Sequence, residues 1–290
     1  MPTLVTGGTG TVGSEVVRQL AARGEDVRVL VRSEEKAKGL PARARGVVGN
    51  LDDRHSLDRA MQGVDKLFLL TPLSETETQE GINAVEAAKA AGIRHIVFMS
   101  VHEVEKCPEA PHFKSKIDIQ AAIEKSGIPY TYVMPNNFYQ NDVWFRPAML
   151  DYGVYPQPFG DRGLSRVDTR DIAEAVVHVL TQPGHAGKRY PLVGPDVLTG
   201  KQTASIWGKA LGKEIAYGGN DLDAWEKQAK QGLPGWMVDD FKIMYDFFQR
   251  KGLAATNDDL AQTRKILGRE PRKFEDYARE NARAWKQKES

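Results

Sequence analysis

Along the first half of the chain, short apolar runs alternate with stretches whose apolar residues recur every three or four positions. "TLVT" leads into "TVGSEVVRQLAARG", where Val12, Val16, Val17 and Leu20 fall on one helical face and Gly24 closes the helix. "DVRVLVR" and "ARGVVGN" read as the second and third strands. They are followed by the helix "DDRHSLDRAMQG" with Leu57, Ala60 and Met61 inward. "VDKLFLLTP", "IRHIVFMSV" and "PYTYVMP" read as three more strands. The helix between the first two, "TETQEGINAVEAAKAAG", is expected to turn Ile82, Val85 and Ala88 inward, and "PHFKSKIDIQAAIEKSG" forms the helix before the last. Strands alternating with helices of this length predict parallel pairing through right-handed crossovers. Strands that are almost wholly apolar predict a sheet covered on both faces. The fold class is therefore α/β: a Rossmann-type, doubly wound parallel sheet.

After about residue 140 the rhythm changes. "QNDVWFRPAMLDYGVYPQPFGDRG" is rich in aromatic residues, Pro and Gly. "DTRDIAEAVVHVLTQPG" returns to a helix with Ile172, Ala175, Val176 and Val179 inward, and "KRYPLVG" reads as one more strand. Beyond residue 200 the pattern is mainly helical. There "LPGWMVDDFKIMYDFFQRKG" aligns Met237, Phe241, Met244 and Phe248, and "YARENARAWKQKES" reads as a basic amphipathic helix, expected as a solvated tail, with packing on a partner chain as the alternative. The organisation expected is a nucleotide-binding domain over 1–150, with 166–195 returning to it, and a small, mainly helical, discontinuous C-terminal subdomain within 151–290.

Composition narrows the function. The chain has 290 residues, 41% hydrophobic and 27% charged, with a formal net charge of +1. A balance so close to neutral predicts no nucleic-acid partner. No apolar run approaches the roughly 18 residues that span a bilayer, so no membrane association is expected. The single cysteine, Cys107, excludes an internal disulfide. With no basic segment and long apolar run at the start, it suggests a cytoplasmic protein. No cysteine cluster or paired-histidine spacing suggests a metal.

The chemistry is concentrated in the first turn of the chain. Gly8, Gly10 and Gly13 satisfy G-x-G-x-x-G, and Gly7, Gly10 and Gly13 satisfy G-x-x-G-x-x-G, between a strand and a helix. Such a loop turns tightly, lets backbone approach a pyrophosphate, and packs the helix closely on the strand. The segment Gly7, Thr9, Gly10, Thr11, Val12 and Gly13 is thus the candidate phosphate cradle. The second strand ends in Arg32, with Lys36 one turn on, where an NAD site places an acid. A guanidinium there suits a 2′-phosphate, so the expected cofactor is NADP(H).

Several motifs, "LVTGGTGTVG", "VRVLVRS", "GNLDD", "HFKSK", "SGIPYTYVMPNNFYQN" and "DTRDIAEAVVHVL", appear in an order and spacing that resembles the NmrA-like family of atypical short-chain dehydrogenase/reductases. The resemblance runs through the whole chain. Its members include quinone, triphenylmethane-dye and isoflavone-type reductases, and regulators that bind the nucleotide without turnover. It implies a cleft between the Rossmann domain and the C-terminal subdomain. It also implies adenine-side contacts at Asn50 and Leu51, although relatives often carry Asp at position 50. Further contacts are implied at Thr71 and Pro72, with Ser100 and the run Pro135, Asn136, Asn137 and Phe138 beside the nicotinamide.

Tyrosine-dependent members of the superfamily carry a Tyr four residues before a Lys. Here Lys116 is present and His112 holds the Tyr position. The candidate catalytic residues are therefore Lys116, expected to hold the nicotinamide ribose, and His112, a candidate general acid. Reduction of an electron-poor acceptor needs no strong protein acid, because the product can take its proton from water. Val101, His102, Phe138, Tyr139, Trp144 and Trp236, with Phe145, are candidates for an aromatic substrate pocket. The function expected is an NADPH-dependent reductase of a small conjugated or aromatic acceptor, acting as a monomer or homodimer. The alternative is an NADP(H)-sensing regulator that binds a protein partner.

Overall fold

A computed structural model describes residues 1–287. In chain order the first elements are β1 (Thr3–Val5), α1 (Thr11–Ala22), β2 (Val27–Val31), α2 (Glu34–Ala37), β3 (Ala44–Val48) and α3 (Arg54–Ala60). Next come β4 (Lys66–Leu69), α4 (Glu77–Ala90), β5 (His95–Met99), α5 (Pro111–Ser126) and β6 (Tyr130–Pro135). The chain continues through α6 (Arg146–Tyr152), β7 (Val154–Tyr155), α7 (Thr169–Thr181), β8 (Arg189–Leu192) and α8 (Gly200–Leu211). It ends with β9 (Ala216–Tyr217), α9 (Leu222–Ala229), α10 (Gly235–Lys251), α11 (Asn257–Leu267) and α12 (Phe274–Gln287). No described helix is long and apolar enough to cross a membrane.

The chain separates into two compact units. One comprises Met1–Pro135 with Thr169–Pro191, the other Asn136–Asp168 with the chain from Leu192 onward. The first unit thus ends at β6 instead of extending to residue 150. Local bonding explains the shift. The Asn136 amide donates to Leu192 O at 3.0 Å and its side chain to Leu253 O at 2.8 Å, while Tyr139 N donates to Val167 O at 2.9 Å.

In the first unit the sheet order is β3-β2-β1-β4-β5-β6-β8, and β1 to β6 pair in parallel. The order reverses between β1 and β4, so the crevice for a ligand lies beyond the carboxyl ends of those two strands. Leu4, Val5, Leu67, Phe68, Val97 and Phe98 are all fully buried, on both faces of the pleat. Each such side chain contributes about 2 kcal/mol of transfer free energy, which is why these strands carry no polar alternation. On α1 the four expected residues are buried, and Gly24 stands just past the helix at φ 80°. On α4 the expected Val85 and Ala88 are buried, whereas Ile82 is only half-buried, and Glu77, Gly81, Ala84 and Ala88 form the inner row. Gly81 is small because Ile119 of α5 fills its place; a Cβ there would lie 2.4 Å from Ile119 Cδ1. The inner row therefore begins with a carboxylate. On β5, His95 Nε2 lies 2.9 Å from Thr131 Oγ1. Burial, with the charges of Lys66 and His185 adding to it, pushes the His95 imidazole down to about 4.

The second unit is mainly helical, with β7 and β9 paired as a short parallel ribbon. Its C-terminal helix is packed, not a solvated tail. Trp285 stacks on Trp207 of α8 at 4.9 Å and 9°, and Phe274, Tyr277, Ala278 and Ala282 are buried. The last three residues of that expected tail lie outside the described residues. On α10 the buried face runs through Val238, Met244, Tyr245, Phe247 and Phe248, with Met237 and Phe241 half-buried beside it.

Candidate functional site

The glycine loop follows β1 at the reversal of strand order. Thr6 ties the two strand ends together: its hydroxyl accepts from Leu70 N at 2.8 Å and donates to Leu70 O at 2.9 Å. Gly7 adopts φ 62°, which a side chain strains. A Cβ on Gly13 would lie 2.2 Å from Gly7 O, so only glycine lets α1 start this close to the strand. A Cβ on Gly10, by contrast, would meet only Gly7 O at 3.3 Å, leaving that face of the loop open.

Gly10 is the N-cap of α1 and no side chain caps the helix. The first amide bonded back is Ser14 N, to Gly10 O at 2.9 Å. The amides of Thr11, Val12 and Gly13 are the orphan donors of the first turn, and the helix dipole adds positive potential there. These residues fit a pyrophosphate. Beyond β2, Arg32 and Lys36 are both exposed, and among the described residues neither forms an ion pair, whereas neighbouring Lys38 bonds Glu35. Asn50 is exposed at the end of β3, with its side chain 3.3 Å from Asp52 Oδ2. Leu51 is buried, and its carbonyl accepts from Asn83 Nδ2 at 3.0 Å.

After β4, Thr71 is buried and Pro72 exposed. Thr71 meets Lys116 of α5: Lys116 Nζ donates to Thr71 Oγ1 at 2.6 Å. A third residue, not singled out from the sequence, completes the group. Glu77 Oε1 accepts from Lys116 Nζ, and from Thr71 Oγ1 at 2.6 Å. The Lys116 and Glu77 side chains are 9% and 2% exposed, so this is a buried ion pair. Nothing in the sequence distinguishes Glu77 from an ordinary acid in a helix's first turn. Beyond β5, the buried Ser100 hydroxyl accepts from Gln120 Nε2 at 2.6 Å. Val101 is half-buried and His102 buried, with His102 N bonded to Pro135 O at 3.0 Å. Glu103 follows at φ 52°, in the left-handed region that glycine favours. His112 is the second residue of α5, after Pro111 at its first turn. It is half-buried, with its ring edge-on to Phe113 at 4.6 Å.

In the second unit, Asn137 and Phe138 are half-buried and anchored by a residue the sequence reading did not select. Arg166 donates to Asn137 Oδ1 at 3.0 Å and to Phe138 O at 2.7 Å. Its other N–H groups meet Asp142 Oδ1 at 2.6 Å, Asp142 Oδ2 at 3.1 Å and Tyr155 Oη at 3.4 Å. Both Arg166 and Asp142 are fully buried. Burial opposes the guanidinium charge, but Asp142 beside it outweighs that and holds Arg166 above its usual range. Burial, then the Asp142 charge, pushes the Tyr155 hydroxyl well above its ordinary value. The residues expected to form an aromatic wall differ in their surroundings. Tyr139 lies in the helical core against Phe274 and Tyr277, with its hydroxyl bonded to Arg272 O at 3.0 Å. Trp144 stands 67% exposed at the surface, and Phe145 and Trp236 are half-buried. No group of residues among those described could hold a metal ion.

A doubly wound sheet with an uncapped glycine-loop helix at its switch point defines a Rossmann-type dinucleotide-binding protein. The chain belongs to the NmrA-like family, whose model matches residues 3–278. It is 34% identical over 290 residues to an NAD(P)H azoreductase of Xenophilus azovorans, covering 97% of this chain and 98% of that one. It is also 34% identical over 284 residues to a (4-alkanoyl-5-oxo-2,5-dihydrofuran-3-yl)methyl phosphate reductase of Streptomyces griseus, covering 97% and 98%. Among solved structures it resembles the Escherichia coli NADPH-dependent quinone oxidoreductase QOR2 in complex with NADPH. That match has a TM-score of 0.87 and 26% identity, over 95% of this chain and 98% of that one.

Proposed function

We propose that the protein is an NADPH-dependent oxidoreductase that reduces a small, electron-poor conjugated or aromatic acceptor: a quinone, azo or cationic dye, enal or imine. The observation that carries this reading is the uncapped N-terminus of α1 behind an open Gly10, at the switch point of the sheet. Relatives named as NAD(P)H azoreductase and (4-alkanoyl-5-oxo-2,5-dihydrofuran-3-yl)methyl phosphate reductase, each matched over nearly the full length, support an oxidoreductase, and the resemblance to an NADPH-bound quinone oxidoreductase supports NADP(H) as its cofactor.

When bound, NADPH supplies the hydride. The protein's residues hold and orient. The Thr11, Val12 and Gly13 amides bind the pyrophosphate, Arg32 and Lys36 the 2′-phosphate, and Asn50 and Leu51 border the adenine. Thr71, Pro72 and Lys116 receive the nicotinamide ribose. Ser100 and Pro135, with Asn136, Asn137 and Phe138, border the ring. With no Tyr at position 112, the chain offers no strong general acid of the usual kind. Acceptors that are already electron-poor therefore fit it better than ketones, since the protein then contributes mainly proximity and orientation.

The test is NADPH oxidation across quinones, azo and cationic dyes, enals, imines and simple ketones. Turnover is expected with at least one electron-poor class and not with the ketones. Tight NADPH binding with silence across the whole panel would refute the reading and favour a nucleotide-sensing role.

A further inference from the structure

We infer that Glu77 is a positioning residue for the cofactor's nicotinamide half, acting through Lys116; this rests on the reading that Lys116 receives the nicotinamide ribose. A lysine ammonium has three donors and a flexible four-carbon stem, so its position must be imposed. Here two donors are committed. One goes to Glu77 Oε1 and one to Thr71 Oγ1, while the Thr71 hydroxyl itself donates to the same carboxylate oxygen. Three side chains from the β4–α4 connection, the start of α4 and α5 close a ring of hydrogen bonds. The third N–H of Lys116 stays available to a ribose hydroxyl.

Burial makes the arrangement rigid. Lys116 Nζ also lies 5.6 Å from the Phe98 ring centroid, and Glu77 is 1% exposed. A charge this deep needs its counter-ion. The second carboxylate oxygen, Glu77 Oε2, is buried and has no hydrogen-bond partner among the described residues. Glu77 directs its other oxygen, Oε1, at both Lys116 Nζ and Thr71 Oγ1, which fixes the ammonium between α4 and the β4–α4 connection.

The experiment compares two ligands on Glu77→Gln, Glu77→Asp, Lys116→Ala and the double variant Glu77→Gln/Lys116→Ala. NADPH contains the nicotinamide ribose, whereas 2′,5′-ADP contains only the adenosine half. Glu77→Gln keeps the side chain's volume and a hydrogen-bonding oxygen but leaves Lys116 without its counter-ion, so the variant's stability falls and its retained fold is checked by denaturant unfolding before binding is compared. It should weaken NADPH about tenfold and leave 2′,5′-ADP within about twofold. Glu77→Asp should recover part of the loss, and Glu77→Gln should add nothing in the Lys116→Ala background. Equal weakening of both ligands, or unchanged NADPH affinity in Glu77→Gln while Lys116→Ala loses it, would overturn the inference. If Lys116→Ala itself leaves NADPH binding unchanged, the assignment of Lys116 to the ribose fails, and the inference fails with it.

Discussion

Lys116–Glu77 in the first unit and Arg166–Asp142 in the second are both buried ion pairs, and the two are built differently. Arg166–Asp142 in the second unit is saturated. The five guanidinium N–H groups reach Asn137, Phe138, Asp142 and Tyr155, and both Asp142 oxygens are used again by Tyr155, Gln157 and Trp207. The Phe159 and Phe274 rings flank the guanidinium at 5.1 Å. Lys116–Glu77 in the first unit is unsaturated: among the described residues one Lys116 N–H and one carboxylate oxygen have no partner. A fully satisfied buried network fixes a fold. The partly satisfied one is the pair to which we assign the cofactor-positioning role. Burial alone would have ranked the two pairs the same; counting their remaining hydrogen-bond capacity separates them.

That contrast can be broken most sharply at the saturated pair. Arg166→Met leaves Asp142 buried and uncompensated and should cost about 3–5 kcal/mol in denaturant unfolding. A loss below about 1 kcal/mol would show that the network is not what holds the second unit together. Next in size is cofactor choice in the first unit. Arg32→Asp should erode the preference for NADPH over NADH about ten- to hundredfold in binding, because an exposed guanidinium is replaced by a charge that repels the 2′-phosphate. If the preference survives, the phosphate is read elsewhere.

A smaller effect is expected from pH. The folded His95 has its pKa lowered, to about 4 from 6.5, so between those values the unfolded chain binds the extra proton. The stabilisation from neutral His95 is therefore complete above about pH 6.5 and is lost as pH falls toward 4. After allowance for solvent screening it amounts to about 1–2 kcal/mol. His95→Gln should flatten that part of the stability–pH curve, and an unchanged slope would place its origin in other groups. Least of all, Trp144→Ser should change stability by no more than about 0.5 kcal/mol, since the indole is exposed. A large loss would return Trp144 to the core.

The same contrast explains what could be read before the structure. The βα rhythm, the glycine loop and the Arg32 position are local patterns, carried by neighbouring residues, and they appear where expected. Glu77 with Lys116 and Asp142 with Arg166 are 39 and 24 residues apart, so no periodicity links them. An acid in a helix's first turn looks the same whether it serves the helix dipole or a distant lysine. Tyr139 and Trp144 show the limit in another way. Aromatic residues in an irregular stretch carry no face, and the Tyr139 hydroxyl found a backbone partner inside the helical core. The C-terminal helix reads as surface by its charge, yet its aromatic stripe stacks on Trp207.

The most direct test of the account is a single turnover without oxygen: protein-bound NADPH, deuterated at the transferred position, mixed with a quinone or azo acceptor while nicotinamide absorbance is followed. The account predicts that the acceptor triggers loss of the reduced nicotinamide signal, that deuterium slows it, and that the label leaves the cofactor. A signal that decays at the same slow rate with and without every acceptor would contradict it.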